Sequence, residues 1–326
     1  MRIVVALVGC VIATAPALAQ AVSIFNAAGI HFSPDTAGKH VAGDVRTEDN
    51  GRVIERTVAL RRVDSNVRIT AHLVINPIPK DETEVHDRWD RAGNVSVEVA
   101  GKPDLELIKF ITAYGGRTEY RIDVTHLSPV LTGDATIKAF IDTWVSPAWT
   151  IDFDLEYEPD SLERVAQWVE PILFEPSYTR DFQGDTGILV NVVVPSEQKR
   201  VILHYYVSGH CTDGTDADEF VKKDNVISVD GVVVHRFQPW RDDCRNFREI
   251  NPYTRRWSDG YWSSDYSRSG WCPGDFVKPL ELDLTDHLTP GPHSIRFVIE
   301  NVRPKNEKGD HGYWRVSGAV IGIDDK

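Results

Sequence analysis

From Arg52 to the C-terminus the chain is written almost entirely in short alternating or apolar runs cut by turn residues. "RVIERTVALRRV", "VRITAHLVI", "NVSVEVAG", "LIKFITAY", "YRIDVTHL", "ATIKAFIDTWV" and "WTIDFDLEYEP" make a first series. A second follows with "GILVNVVVP", "RVILHYYVSG", "NVISVDGVVVHRF", "LELDLTDHL", "HSIRFVIENV" and "YWRVSGAVIGI". Alternation over about 5 to 8 residues marks half-buried strands. With no helical periodicity between them, the strands predict an all-β chain of two antiparallel jelly-roll sandwiches packed side by side. One stretch, "SLERVAQWV" (Ser161 to Val169), has the spacing of a helix and suggests a boundary between Glu158 and Glu175. A length of 326 residues fits two domains at about 150 residues each. The expected division is 1–19 signal peptide, 20–160 N-terminal domain and 161–326 C-terminal domain. The halves echo one another: "YRIDVTHLSPVLTGDATIKAFI" and "LELDLTDHLTPGPHSIRFVI" are each a strand, an Asp-x-Thr turn and a Gly-containing link to another strand.

The opening "MRIVVALVGCVIATAPALAQ" has a basic residue, an apolar core and the small-x-small site Ala17-Leu18-Ala19, which predicts export with cleavage after Ala19. A secreted or periplasmic protein is therefore expected. No later stretch is long and apolar enough to span a bilayer as a helix. The formal charge of −13, with no basic block, argues against nucleic-acid or anionic-membrane partners. No sustained heptad demands a second subunit, so a monomer is expected. Export leaves Cys211, Cys244 and Cys272, which allow at most one internal pair. Cys244 and Cys272 bracket a charged, aromatic, irregular segment that needs a staple, and are the expected pair. Cys211 is read as a buried thiol.

Three acids lie beside large rings at strand ends: Asp90 in "RWDR", Asp142 in "FIDTWV" and Glu219 in "TDADEF". Singly each reads as a solvated turn acid. Together, with Trp89, Trp144 and Phe220 beside them, they suggest carboxylates desolvated by rings and able to hold or accept a proton near neutral pH. The segment Arg236 to Asp275 carries Trp240, Tyr253, Trp257, Tyr261, Trp262, Tyr266 and Trp271 among Arg, Asp and Ser. It is too polar for a core strand and too long for an idle loop. Its rings suit either the CH-rich faces of sugars or a satellite cluster packing the loop onto its own domain. "GHCTDGTDADEF" matches neither zinc nor calcium spacing, and the histidines show no paired ligand spacing, so no metal or cofactor is expected.

"HDRWDRAGNVSV", "LIKFITAYGG", "YRIDVTHLSPVLTGDATIKAFIDTW", "DADEF" and "SRSGWCPGD" occur in order between about residue 85 and residue 280. In that order they resemble the motifs of the bacterial peptide:N-glycosidase F family. The resemblance implies two jelly rolls side by side and a metal-free amidase that cuts between Asn and the first GlcNAc of an N-glycan. It implies Asp90 as the principal catalytic acid, Glu219 as the second interface carboxylate and Asp142 as the acid orienting the chitobiose end. Arg268 and Trp271 would line the cleft and Tyr114 contact substrate. Trp89, Arg91, Trp144 and Phe220 would complete the binding set. Cys244 and Cys272 fall on a family disulfide. The chain departs from the pattern at Asp142, where the family has Glu, and at Phe220 and Gly115, each in place of a Trp. The expected substrate is an N-glycoprotein or N-glycopeptide. Two other readings stand beside this one: a non-catalytic glycan-binding jelly-roll protein, and a copper monooxygenase-like enzyme. The latter needs His and Met ligands, and Met1 is the chain's one methionine.

Overall fold

The computed structural model describes residues 20–34, 40–63, 66–160, 164–195, 198–213 and 217–325; the expected signal peptide lies outside them. The architecture is all-β and antiparallel. One four-stranded sheet runs Gln20–Ile30, Trp149–Pro159, Val67–Pro77, Thr118–Asp123. It faces a seven-stranded sheet ordered Phe276–Val277, Leu105–Ile111, Ala92–Val97, Gly133–Ile141, Val53–Leu60, Val45–Glu48, His40–Ala42. In the second half, a sheet of Arg164–Tyr178, Gly312–Asp325, Arg200–Cys211 and Leu280–Asp283 covers another of Ile188–Val194, Gly291–Ile299, Asn225–Val229 and Val232–Phe237. Trp149–Pro159 shows why such runs become strands. Its odd positions, Trp149 through Tyr157, are buried and the even ones between them are not, so one face enters the core.

The stretch expected to be helical is strand from Arg164 onward, paired antiparallel with Gly312–Asp325. Register shifts between Ala166 and Trp168, Pro171 and Leu173, and Glu175 and Tyr178 each break the alternation. The bulges hide the period of two, so Val165 and Val169 fall four apart and imitate one helix face.

The repeated Asp-x-Thr turns take the same form in both halves. Thr125 Oγ1 donates to Asp123 and accepts from the Ile69 amide at 2.9 Å. Thr285 Oγ1 likewise donates to Asp283 and accepts from the Val201 amide at 3.0 Å. The four strands of the first sheet therefore have positional counterparts, in the same order, in the sheet begun by Arg164–Tyr178.

Two strands buried on both faces make the seam between the halves, Leu105–Ile111 and the interior of Arg200–Cys211. Ile202, Ala319 and Ile321 pack into the first core, while Val201, Leu203 and Val320 face the second. The Tyr206 hydroxyl crosses the seam to donate to the Leu107 carbonyl at 3.0 Å. Phe276–Val277, from the second half, adds an edge strand to the first half's sheet. Just before it, Cys244 and Cys272 form a disulfide with Cα atoms 5.0 Å apart, 28 residues apart in sequence. Closing such a loop stabilises the fold by about 3 kcal/mol on the chain-entropy account.

Candidate functional site

A cleft of about 800 Å³ opens along the seam, and Asp90, Arg91, Asp142, Trp144, Glu219 and Trp271 are in its wall. At its base the Arg268 guanidinium lies between two acids, 3.3 Å from Glu219 and 3.9 Å from Asp90. Arg268 is 2% exposed. Its faces lie over the Phe220 and Trp271 rings at 5.2 and 4.7 Å, and it donates to the Ser263 and Tyr266 carbonyls at 2.8 and 3.0 Å. Burial works against its charge, but Tyr114, Glu219 and Asp90 outweigh that and hold it as a cation.

Desolvation raises both acids. Asp90 is pushed up by burial against the pull of Arg268, a hydrogen bond from Tyr114 and the charge of Arg91. Glu219 is pushed up to about 7, by burial and then by the Asp90 charge, with Arg268 opposing. Two half-buried carboxylates sharing one cation are arranged to divide their roles, one holding a proton while the other stays ionised.

Each acid stands on an anchored loop. Three residues before Asp90, the fully buried Asp87 accepts hydrogen bonds from Arg91 Nε and Nη2 (2.9 and 3.1 Å), Thr143 Oγ1 (2.7 Å) and the Trp149 indole (3.3 Å). Immediately before Glu219, the fully buried Asp218 accepts from the Trp314 indole (2.8 Å) and the Arg303 amide (3.0 Å). Trp149 and Trp314 lie near the start of counterpart strands, so the two halves place their acids by the same device. Exchanging Asp87 for Asn would turn an N–H toward donors already there. Asp87→Asn is expected to destabilise the fold by about 3 kcal/mol in chemical denaturation. As a positioning change it should lower kcat more than it raises KM.

Asp142 is held on the cleft wall by Arg315 at 2.9 Å and Arg52 at 3.2 Å. Arg52 in turn lies over Trp144 at 4.6 Å, and Trp144 is 59% exposed. This makes an open ring shelf beside a fixed carboxylate. Beneath the cleft, Tyr313, His210 and Trp271 stack at 5.3 Å spacings. Burial keeps the His210 imidazole neutral, far below its usual range, with the nearby cations adding to the effect.

The structure places Asp90, Arg91, Asp142, Trp144, Glu219 and Trp271 in the cleft wall and packs Tyr114 and Phe220 against Arg268, while Trp89 stands outside the wall. Trp89 is 53% exposed, and the partners that reach Asp90 are Tyr114, by a hydrogen bond, and Arg268 at 3.9 Å. Arg91 grips Asp87 rather than Asp90. Trp271 is buried, with its indole donating to the Gly209 carbonyl at 2.8 Å, and serves as the floor under Arg268. Cys211 is half-buried in the cleft wall, its thiol 3.5 Å from Glu219, rather than a core thiol. Gly115 has φ +63°, and the Tyr253 ring lies where a side chain would go, 2.4 Å from an added Cβ. Arg52, Asp87, His210, Asp218, Tyr313 and Arg315 escaped the sequence reading. For Asp87 a faint signal exists in its spacing of four from Arg91, and Asp218 directly precedes Glu219; His210, Tyr313 and Arg315 join the site through the pairing of their strands. Among the described residues no three His, Cys, Asp or Glu side chains converge as a metal site.

Comparison with known proteins bears on the family and the fold. Residues 98–157 match the family model for Peptide-N-glycosidase F, N terminal, and residues 177–321 that for Peptide-N-glycosidase F, C terminal. Over 255 residues the chain is 25% identical to peptide-N(4)-(N-acetyl-beta-D-glucosaminyl)asparagine amidase F of Elizabethkingia miricola, covering 72% of this chain and 69% of that protein. A solved structure of PNGF-II superposes with a TM-score of 0.83 at 27% identity, covering 94% of this chain but 65% of the other. The chain thus spans about two thirds of that relative's length. PNGase F of Flavobacterium meningosepticum shares the fold, with a TM-score of 0.71 at 21% identity over 95% of this chain and 97% of that one. With both of the family's domains matched in order and the two-jelly-roll fold in place, this chain belongs to the peptide-N-glycosidase F family.

Proposed function

We propose that the chain is a hydrolase that cleaves the amide between asparagine and the first GlcNAc of an N-glycan, leaving Asp in the peptide and releasing a glycosylamine. The observation that carries this reading is the cluster at the base of the seam cleft in which Asp90 and Glu219, both half-buried, flank the buried Arg268. An amide is a poor electrophile with a poor leaving group, so its hydrolysis needs an activated water, charge support for the carbonyl oxygen and a proton for the nitrogen. Asp90, ionised beside Arg268 and Tyr114, takes a proton from water as the water oxygen bonds the side-chain carbonyl carbon. Arg268 supports the developing oxyanion. Glu219, holding its proton up to about pH 7, gives it to the departing nitrogen as the C–N bond breaks. The proton taken by Asp90 then returns Glu219 to its starting state through solvent. Asp142 and the Trp144 shelf orient the chitobiose end of the glycan within the cleft.

We further read the chain as two domains, 20–160 and 161–326, acting as a secreted or periplasmic monomer. The Cys244–Cys272 disulfide supports an oxidising compartment. Among the described residues no helix is long and apolar enough to cross a membrane.

The test is a mass-spectrometric digest of a denatured N-glycopeptide in heavy-oxygen water. Release of the glycan with an asparagine-to-aspartate change and one heavy oxygen in the new carboxyl supports the amidase. Binding without cleavage from acidic to neutral pH would instead leave a glycan-binding protein.

A pH dependence follows from Glu219. Its carboxyl must be protonated to donate, and the value of about 7 places the loss of that proton there. The expected profile of kcat/KM falls on the alkaline side with a midpoint near 7, by about tenfold per pH unit beyond it. The folded pKa lies above the ordinary 4.5, so the folded state binds the extra proton. The stability this gives is full below pH 4.5 and is lost as pH rises through 7, a trend that thermal melts across that window can read.

A further inference from the structure

Next to Arg268, outside the wall of the cleft, stands a hairpin that the reaction scheme does not use. Ser263 N donates to the Arg255 carbonyl at 2.8 Å, Arg256 bridges Trp262, and Trp257 N donates to the Tyr261 carbonyl at 2.8 Å. Gly260, with φ +88°, closes the tip. The root of this hairpin supplies the Ser263 and Tyr266 carbonyls that hold Arg268. Its tip presents Trp257 and Tyr261 at 56% and 64% exposure, together with the exposed Arg255 and Arg256. The hairpin reaches the ring neighbour of Asp90 directly and that of Glu219 through Tyr266. Arg255 lies over Trp89 at 5.8 Å, and Tyr266, flanked by Trp257 and Tyr261, meets Phe220 edge-on at 5.9 Å. None of the residues from Tyr253 to Tyr266 is in the wall of the cleft.

We propose that the hairpin Arg255–Trp262 is the peptide-side subsite, favouring glycopeptides with carboxylate and aromatic residues next to the glycosylated asparagine. The inference rests on the amidase reading. The scissile bond joins a sugar to a peptide across the acids, so a glycan lying in the cleft sends its peptide out past the cleft wall. The exposed Arg255, Arg256, Trp257 and Tyr261 stand outside the cleft wall and suit an extended chain rather than a branched oligosaccharide. The rings offer stacking surface, and the two guanidinium groups offer the charge that attracts carboxylates on a molecule otherwise carrying −13. The same root carbonyls fix Arg268, so a peptide bound on the hairpin is held in register with the guanidinium that supports its reacting carbonyl.

The experiment compares two denatured glycopeptides with one glycan, flanked by Asp and Phe or by Lys. Substrates are tested on wild type, Arg255→Glu/Arg256→Glu and Trp257→Ala/Tyr261→Ala. The wild type should prefer the acidic–aromatic peptide by about fivefold in kcat/KM, and the charge-reversed variant should invert the preference. The ring-deleted variant should raise KM for the acidic–aromatic peptide. Binding of free diacetylchitobiose, measured by calorimetry, should hold in both variants and shows that they are folded. Equal turnover of both peptides by wild type and charge-reversed enzyme would overturn the subsite while leaving the amidase standing. Loss of chitobiose binding in the ring-deleted variant, with its melting temperature kept, would make the hairpin a sugar shelf instead. No turnover of either peptide by wild type would sink the amidase and this inference with it.

Discussion

Asp90→Asn is expected to lower kcat by about a thousandfold, with glycopeptide binding retained. Asparagine has the size of aspartate but cannot take the proton from water. The effect reaches further than the lost base, because the Asp90 charge is one of the causes that raises Glu219. Without it, Glu219 ionises more readily beside Arg268 and gives up its proton at lower pH. Residual turnover should therefore show its alkaline fall shifted toward acid. A kcat profile of the variant across acidic to neutral pH checks both effects. A fall in binding comparable to the fall in kcat would mean that Asp90 serves mainly to hold substrate.

Arg268→Ala should be the change in the site most costly to stability. It removes a buried cation from between two carboxylates and leaves the Ser263 and Tyr266 carbonyls without their donor. Breaking a buried pair of this kind costs about 3–5 kcal/mol. Turnover should fall by about 10²–10³, the scale of losing one oxyanion donor. The sign of the pH effect is a sharper check. Arg268 lowers both acids, so without it both take up protons more readily. At pH 5 they can neutralise themselves, and the loss of stability should be smaller there than at pH 8. Chemical denaturation at the two pH values tests this. Arg268→Lys should restore part of the stability but little of the turnover, since an ammonium cannot span both carbonyls and both acids at once.

The sequence made most of the scaffold legible because the strands alternate cleanly, as Trp149–Pro159 does. It failed where bulges break the alternation, in Arg164–Tyr178, and where strands are short or two-sidedly polar, as in Val45–Glu48. The acids could be found because each sits beside a ring in a motif that resembles a family. What a linear reading could not supply was the partner of each residue. Arg91 looked like the companion of Asp90 because the two are adjacent, yet in the loop before Ala92–Val97 the Arg91 side chain pairs with Asp87 instead. The true companion, Arg268, lies far along the chain and arrives only when the seam closes. Trp89 illustrates the same limit in the other direction, since adjacency to an acid says nothing about which way the indole faces.

The Asp–Trp lock that recurs under each acid bears on how such a site can diversify. The lock fixes the backbone from below, through Asp87 with Trp149 and Asp218 with Trp314, and leaves the outward residues out of that task. The exposed Trp89 can thus vary, lineage by lineage, without dislodging the carboxylate it adjoins. Because each half carries its own lock, drift in one loop does not propagate to the other. A scaffold of this kind can explore new substrates one lobe at a time while its chemistry is inherited intact.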